Sequence, residues 1–285
     1  MEHYDILIIG GGAAGIAAAK KSAGAKVLLA DRRSALGGVL LQCTHRGFGK
    51  NKSGIEYAAD LIKEFPSGVR LALNTTVLSV SKNKTALLSG KDFGRREISF
   101  SQLIFAAGCR EIPIGALPVA GTRPKGIYTA GQMQERMNLY GFVPEGPAVI
   151  LGSGDLGLIM AKQLVQAGLG VTMVEKGRYC GGMLRNQRCL EEYPIRLICS
   201  DTIAYVHGER EICGCTTKNG EYLPCKTLLI AVGLLPEREL IDHLGVPEWL
   251  HICGNCHTVH PMVEAVVQEG KQAGIAAVEN LRGGL

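Results

Sequence analysis

The segment "YDILIIGGGAAGIAAAKKSAGAKVLLADRR" leaves few folds open to this chain. An apolar run ends in a glycine turn, an alanine-rich helical stretch follows, and a second apolar run closes on an acid. Gly10, Gly12 and Gly15 make G-x-G-x-x-G. In that spacing the first glycine permits a tight turn and the second lets a pyrophosphate approach the backbone. The third lets the helix pack close to the strand. The helix opens at Ala13 and Ala14, and its N-terminus faces the phosphate. Asp31, followed by Arg32, ends the second strand, where a carboxylate accepts ribose hydroxyls.

The same arrangement recurs in "PAVILGSGDLGLIMAKQLVQAGLGVTMVEK". Here Gly152, Gly154 and Gly157 form the fingerprint, Asp155 and Leu156 open the helix, and Glu175 ends the second strand. An acid at that place favours NADH over NADPH, because it repels a 2′-phosphate. Lys176 and Arg178 pull the other way. Two apolar strands each run into a small-residue turn: "LIFAAG" with Ala107 and Gly108, and "LLIAVG" with Gly233. Each follows a fingerprint. Buried parallel strands read as such near-continuous apolar runs, so the pattern predicts an α/β protein built from two Rossmann-like dinucleotide-binding domains.

The remaining totals exclude several classes. Hydrophobic residues make up 46% and charged residues 20% of 285, as in an ordinary soluble globular protein. The net charge of +5 comes from scattered Lys and Arg, so no basic run marks a nucleic-acid or lipid surface. No uncharged apolar run reaches the ~18 residues of a membrane span. The first residues lack the basic start and long apolar stretch of a signal peptide. The ten cysteines are irregularly spaced, unlike a small disulfide scaffold. A cytoplasmic chain with mostly reduced thiols is the expectation, and no metal site is expected.

Together these motifs resemble the pyridine nucleotide-disulfide oxidoreductase superfamily over nearly the whole length. Within it, "LGGVLLQCTHRGFG", "AAGCRE", "GTRPKGIYTAGQMQ" and "CGNCHTVH" are similar to a subgroup. That subgroup holds the A subunits of opine oxidases and hydrogen cyanide synthase, and flavoproteins associated with glycerol-3-phosphate dehydrogenases. The resemblance implies a discontinuous FAD domain, residues 1–112 plus 234–285, with an NAD(P) domain at 113–233 inserted. It implies FAD on the first fingerprint and NAD(H) on the second. "HICGNC" resembles the family's late FAD motif, with Gly254 and Asn255 near the dinucleotide and Pro261 and Met262 entering a last helix aimed at the flavin ring. Gly38, Val39 and Gln42 would pass the other side of the ring. The sequence departs from the family in lacking a C-x4-C after Gly37-Gly38 and a C-x-x-C before the second fingerprint. About two dozen residues of the family pattern, a β-hairpin, are also absent between "LGVPEWL" and "HICGN".

Three residues are catalytic candidates. Cys43 would flank flavin N5, His45 would hydrogen-bond nearby, and His260 would stabilise the reduced flavin at its N1/O2 edge. Each also has a plain packing or solvent-facing reading. The stretch Cys253-Gly254-Asn255-Cys256-His257 stays open to four readings: a haem attachment, half of a zinc site with Cys213 and Cys215, a redox disulfide, or a strand end packed against FAD. The last fits the late motif. Cys213-Gly214-Cys215 is read as a turn before a hairpin around Asn219-Gly220. The resulting expectation is an FAD-dependent oxidoreductase moving hydride between NAD(H) and flavin, then to or from a partner dehydrogenase subunit or a small acceptor. The alternatives are a disulfide reductase using Cys253 and Cys256, and an FAD-binding subunit without turnover. A homo-oligomer is compatible with all three.

Overall fold

The computed structural model describes residues 1–283. The chain forms two compact units. One comprises Met1–Arg110 and the chain from Leu235 onward, and the other comprises Glu111–Leu234.

The first unit is built on a sheet whose parallel strands are Arg70–Ala72, Val27–Ala30, Glu2–Ile9, the end of Gly94–Phe105, and Leu250–Ile252. The long strand Gly94–Phe105 begins instead in an antiparallel meander with Thr85–Gly90 and Thr75–Val80. Apolar runs such as Ile6–Ile9 and Leu103–Phe105 form central strands because both faces are covered. Alternation sorts their side chains. Leu7, Ile9, Leu103 and Phe105 join a core with the meander residues Leu88, Ile98 and Phe100. Ile6, Ile8 and Ile104 face the first helix, Ala13–Lys21, and the last helix, Val263–Gly283. Each such side chain fully removed from water contributes about 1.5–3 kcal/mol before entropy is counted.

The two helices touch through their smallest residues. A Cβ on Gly270 would lie 2.2 Å from Ala14 O, and one on Gly274 2.5 Å from Ala18 O. The alanine-rich first helix is thus matched by a small-residue face on the last. No hairpin lies between Leu244 and Leu250. A single turn at Asp242–Leu244 leads almost directly into the strand Leu250–Ile252.

The second unit carries five parallel strands in the order Ile127–Thr129, Thr227–Ile230, Ala148–Leu151, Val171–Val174, Ile195–Ile198. Ile150, Met173 and Leu229 face the helices Asp155–Gln166 and Ala130–Tyr140. Val149, Leu151 and Ile230 face a four-stranded layer that includes Ile203–Gly208, Ile212–Thr217 and Tyr222–Pro224. Cys213-Gly214-Cys215 lies inside the strand Ile212–Thr217, not in a turn. A register shift at His207/Gly208, opposite Gly214 and Ile212, breaks the alternation here, so that Cys215 lies in the core while Cys213 is exposed. The hairpin around Asn219-Gly220 is present, with Gly220 at φ +94°.

Candidate dinucleotide sites

At the end of the first strand Gly10 takes φ +106°, a region that favours glycine. A Cβ there would lie 2.3 Å from Ala106 O, so the turn is pressed against the neighbouring strand end. Gly15 is more crowded still, with its Cβ position 1.8 Å from Gly10 O. Gly12 differs. It caps the helix at φ −78°, and a Cβ there would meet nothing within 4 Å. The open space above Gly12 makes a cradle at a helix N-terminus, which suits a pyrophosphate, and Gly108 at the end of the neighbouring strand is also open. Asp31 sits at its edge, accepting N–H donors from Gly11 (2.5 Å) and Arg33 (2.7 Å). Arg32 is exposed.

The loop carrying Gly38 and Val39 closes over this turn. Gly37 N–H donates to Gly11 O at 2.8 Å, and a Cβ on Gly38 would lie 3.0 Å from Gly12 Cα. Val39 is 59% exposed and Met262 37%, two apolar side chains beside the unit's glycine turn and late motif that a bound group would cover. Gln42 is buried. Cys43 is buried too, its Sγ donating to Val39 O at 3.4 Å, and burial pushes its thiol pKa up to about 12. It is a thiol at neutral pH, and a thiolate role for it has no support in its surroundings. His45 packs its ring 5.2 Å from that of Phe48.

The late motif is fixed by a residue that the sequence pattern does not single out. Glu269, in the last helix, accepts Gly254 N–H (2.7 Å) on Oε2 and stands 2.8 Å from His260 Nε2 through Oε1. His257 Nδ1 lies 3.4 Å from the same Oε1. Burial raises the Glu269 pKa, but the bonds from His260, Gly254 and His257 outweigh it and hold the carboxyl below its usual range. The imidazole of His260 is therefore committed to Glu269. The backbone N–H of His260 donates to Asn255 Oδ1 at 3.1 Å, and Asn255 Nδ2 reaches Cys109 Sγ at 3.7 Å. Gly254 must be glycine, since its φ is +71° and a Cβ would lie 2.9 Å from Ala14 Cβ. The only sequence signal for Glu269 is a carboxylate nine residues after His260, too ordinary on a helix to mark it.

Cys253 and Cys256 are buried in different layers. Cys253 packs with Ile8, Ala14 and Ala273, and Cys256 with Phe105, Leu103 and Leu250 on the other side of the sheet. Both thiols are free, and burial pushes both pKa values up. Cys256 Sγ donates to the carbonyls of Phe105 and Cys253, each at 3.1 Å. Among the described residues no group of three or more His, Cys, Asp or Glu is placed to hold a metal ion.

The second unit repeats the turn. Gly152 has φ +102°, with its Cβ position 2.3 Å from Ala231 O, and Gly157 packs on Gly152 O. Above Gly154 the space is open. Gly233 follows the adjacent strand at φ +132°. Glu175 accepts Ser153 N–H (2.8 Å) and Ser153 Oγ–H (2.7 Å) on Oε2, and Gly177 N–H (2.7 Å) on Oε1. Burial raises its pKa, but donors from Gly177, Ser153 and Lys176 outweigh it, and the carboxyl stays below the ordinary range. Asp155 Oδ1 holds Met183 N–H (2.8 Å) and Asn186 Nδ2 (2.6 Å), so its carboxylate ties down the following loop. Leu156 packs against the same unit's core.

Residues 4–261 match the family model for pyridine nucleotide-disulphide oxidoreductases. This chain belongs to that family. Members of this family bind FAD and NAD(P)H. It is 28% identical over 279 residues to the A subunit of opine oxidase from Agrobacterium tumefaciens (strain Ach5), covering 86% of this chain and 55% of that one. It is 28% identical over 273 residues to the alpha subunit of sarcosine oxidase from Rhizobium meliloti (strain 1021), covering 87% of this chain and 26% of that one. The chain thus spans about half of the first relative and about a quarter of the second. Its fold matches a thioredoxin reductase from Lactococcus lactis at a TM-score of 0.79 with 21% identity, covering 98% of this chain and 99% of that one. Among the described residues no helix is long and apolar enough to cross a membrane.

Proposed function

We propose that the first unit holds FAD, that the second holds NADH in preference to NADPH, and that the chain passes the electrons to or from a second polypeptide. The observation that carries this reading is the pair of matched cradles. Gly12 and Gly154 each face open space at a helix N-terminus, and each has a carboxylate at the end of the next strand. When bound, the flavin supplies the hydride chemistry, accepting from or returning to the nicotinamide. The protein's own residues do the rest. Gly12 and Gly108 would leave room for the pyrophosphate, Asp31 would take the ribose hydroxyls, and Val39 and Met262 would lie against the flavin. Asn255 and Gly254, held by Glu269, set the late loop against the dinucleotide. Cys43 and His45 line the loop as packing groups, and His260 acts through its hydrogen bond with Glu269.

The partner is inferred from the relatives, whose names describe them as subunits. A disulfide reductase using Cys253 and Cys256 finds no support in their surroundings, because the two side chains enter separate cores. Anaerobic titration with NADH tests the proposal. The expected result is one flavin per chain, bleached by one equivalent of NADH and reoxidised by the partner polypeptide. Flavin that NADH never bleaches, with or without the partner, would overturn it.

A further inference from the structure

Ser153 stands between the first two glycines of the second fingerprint and is fully buried. The corresponding residue of the first fingerprint is Gly11. The Ser153 hydroxyl makes two bonds. It donates to Glu175 Oε2 at 2.7 Å and accepts Gly181 N–H at 2.9 Å. A carboxylate can only accept and a backbone N–H can only donate, so the direction of both bonds is fixed.

The consequence reaches the loop that follows Glu175. Gly177 N–H returns to Glu175 Oε1, Gly181 N–H is caught by Ser153, and Met183 N–H is caught by Asp155. Between Glu175 and Met183 the chain is therefore tied back to Glu175 at Gly177 and pinned twice against the fingerprint, at Ser153 and at Asp155. Two exposed cations, Lys176 and Arg178, ride on this pinned stretch. Oε2 of Glu175 has both lone pairs engaged by Ser153, which leaves Oε1 as the oxygen for an incoming hydroxyl.

We propose that Ser153 is a positioning residue for nucleotide selectivity, its hydroxyl locking Glu175 and the Gly181 loop into a collar that takes a free ribose 2′-hydroxyl and refuses a 2′-phosphate. This rests on the reading of the second unit as the NADH site. Without the hydroxyl, Glu175 loses a donor and Gly181 its acceptor. The loop is then free to move, and Lys176 and Arg178 with it, toward a 2′-phosphate.

The test is calorimetric binding of ADP-ribose and of 2′-phospho-ADP-ribose to the flavin-loaded protein, which needs no turnover. Wild type should prefer ADP-ribose. In Ser153→Ala the ratio of the two dissociation constants should fall by about tenfold, the effect of one hydrogen bond to a charged group. Ser153→Thr, which keeps the hydroxyl, should restore the preference. An unchanged ratio in Ser153→Ala, including a parallel loss of both ligands, overturns the proposal, since a merely structural role would weaken both alike. If Ser153→Ala does not fold, a Thr variant with the wild-type fold and an altered ratio overturns it as well. Failure of the underlying reading looks different: wild type and variants alike would bind neither ligand.

Discussion

The two fingerprints make the same turn and close it in different ways. Gly10 and Gly152 adopt φ +106° and +102°, and in both the missing Cβ would lie 2.3 Å from a carbonyl of the neighbouring strand, Ala106 or Ala231. The turn itself is thus fixed by steric contact and comes out the same. The loop over the turn is not. Gly37 N–H is tied to a backbone carbonyl, that of Gly11, whereas Gly181 N–H is tied to a side chain, that of Ser153. A backbone tie survives most substitutions, while a side-chain tie can be removed by one. On the proposed reading, the backbone tie suits an FAD that stays bound, and the side-chain tie suits a nucleotide that must come and go.

The comparison is broken most severely at the third glycine. A Cβ on Gly15 would approach Gly10 O to 1.8 Å, against 2.5 Å for Gly157 and Gly152 O. Both obstacles are backbone, so something must shift. Gly15→Ala should cost about 3 kcal/mol or more, and Gly157→Ala about 1–3 kcal/mol. Thermal unfolding followed by circular dichroism gives the order. A larger loss for Gly157→Ala would mean that the first turn is the looser of the two.

The second glycine separates binding from folding. At Gly12 and Gly154 an added side chain meets open space, and neither φ is strained. Gly12→Val should fold normally yet purify without flavin. Gly154→Val should keep its flavin and lose bleaching by NADH. Absorbance spectra before and after anaerobic NADH decide both. Flavin retained in Gly12→Val would remove the pyrophosphate from the place assigned to it.

Much of this architecture is legible in the sequence because apolar runs and glycine spacing are local signals. The two strand–turn–helix openings, the small-residue strand ends at Gly108 and Gly233 and the last helix need no knowledge of distant contacts. What escapes is set by contacts between distant segments. Glu269 holds Gly254 from fifteen residues away, and its identity as a late-motif anchor depends on how the last helix lies on Ala14. Ser153 reads as a filler between two glycines, and only the fold shows its hydroxyl bridging Glu175 and Gly181. Cys213-Gly214-Cys215 reads as a turn because Gly suggests one, yet pairing with neighbouring strands overrides that preference.

The same contrast can be sharpened at Gly11. A Cβ there would lie 2.7 Å from Leu36 Cδ2 and 3.1 Å from Asp31 Oδ2. Leucine fills the space that serine uses in the second unit. Leu36 Cδ2 is the end of a flexible side chain, so relief is within reach. Gly11→Ser should therefore cost about 1–2 kcal/mol and weaken flavin retention without abolishing it. A Gly11→Ser protein as stable as wild type would show that the two turns are interchangeable after all.

The smallest effect on the flavin is expected at the two cysteines of the late motif. Cys253 and Cys256 flank one strand end and send their side chains to opposite faces of the sheet. A disulfide needs Cβ vectors that converge, and here each thiol is already a packing group in its own core. Burial raises both pKa values, so neither offers a thiolate at neutral pH. Changing both to alanine removes two small buried groups and should cost about 1–2 kcal/mol. Flavin reduction by NADH should persist, and both wild type and double variant should take up two electrons per flavin in an anaerobic titration. Four electrons in the wild type and two in the variant would make the pair a redox disulfide, and the difference between the units would then be chemical as well as structural.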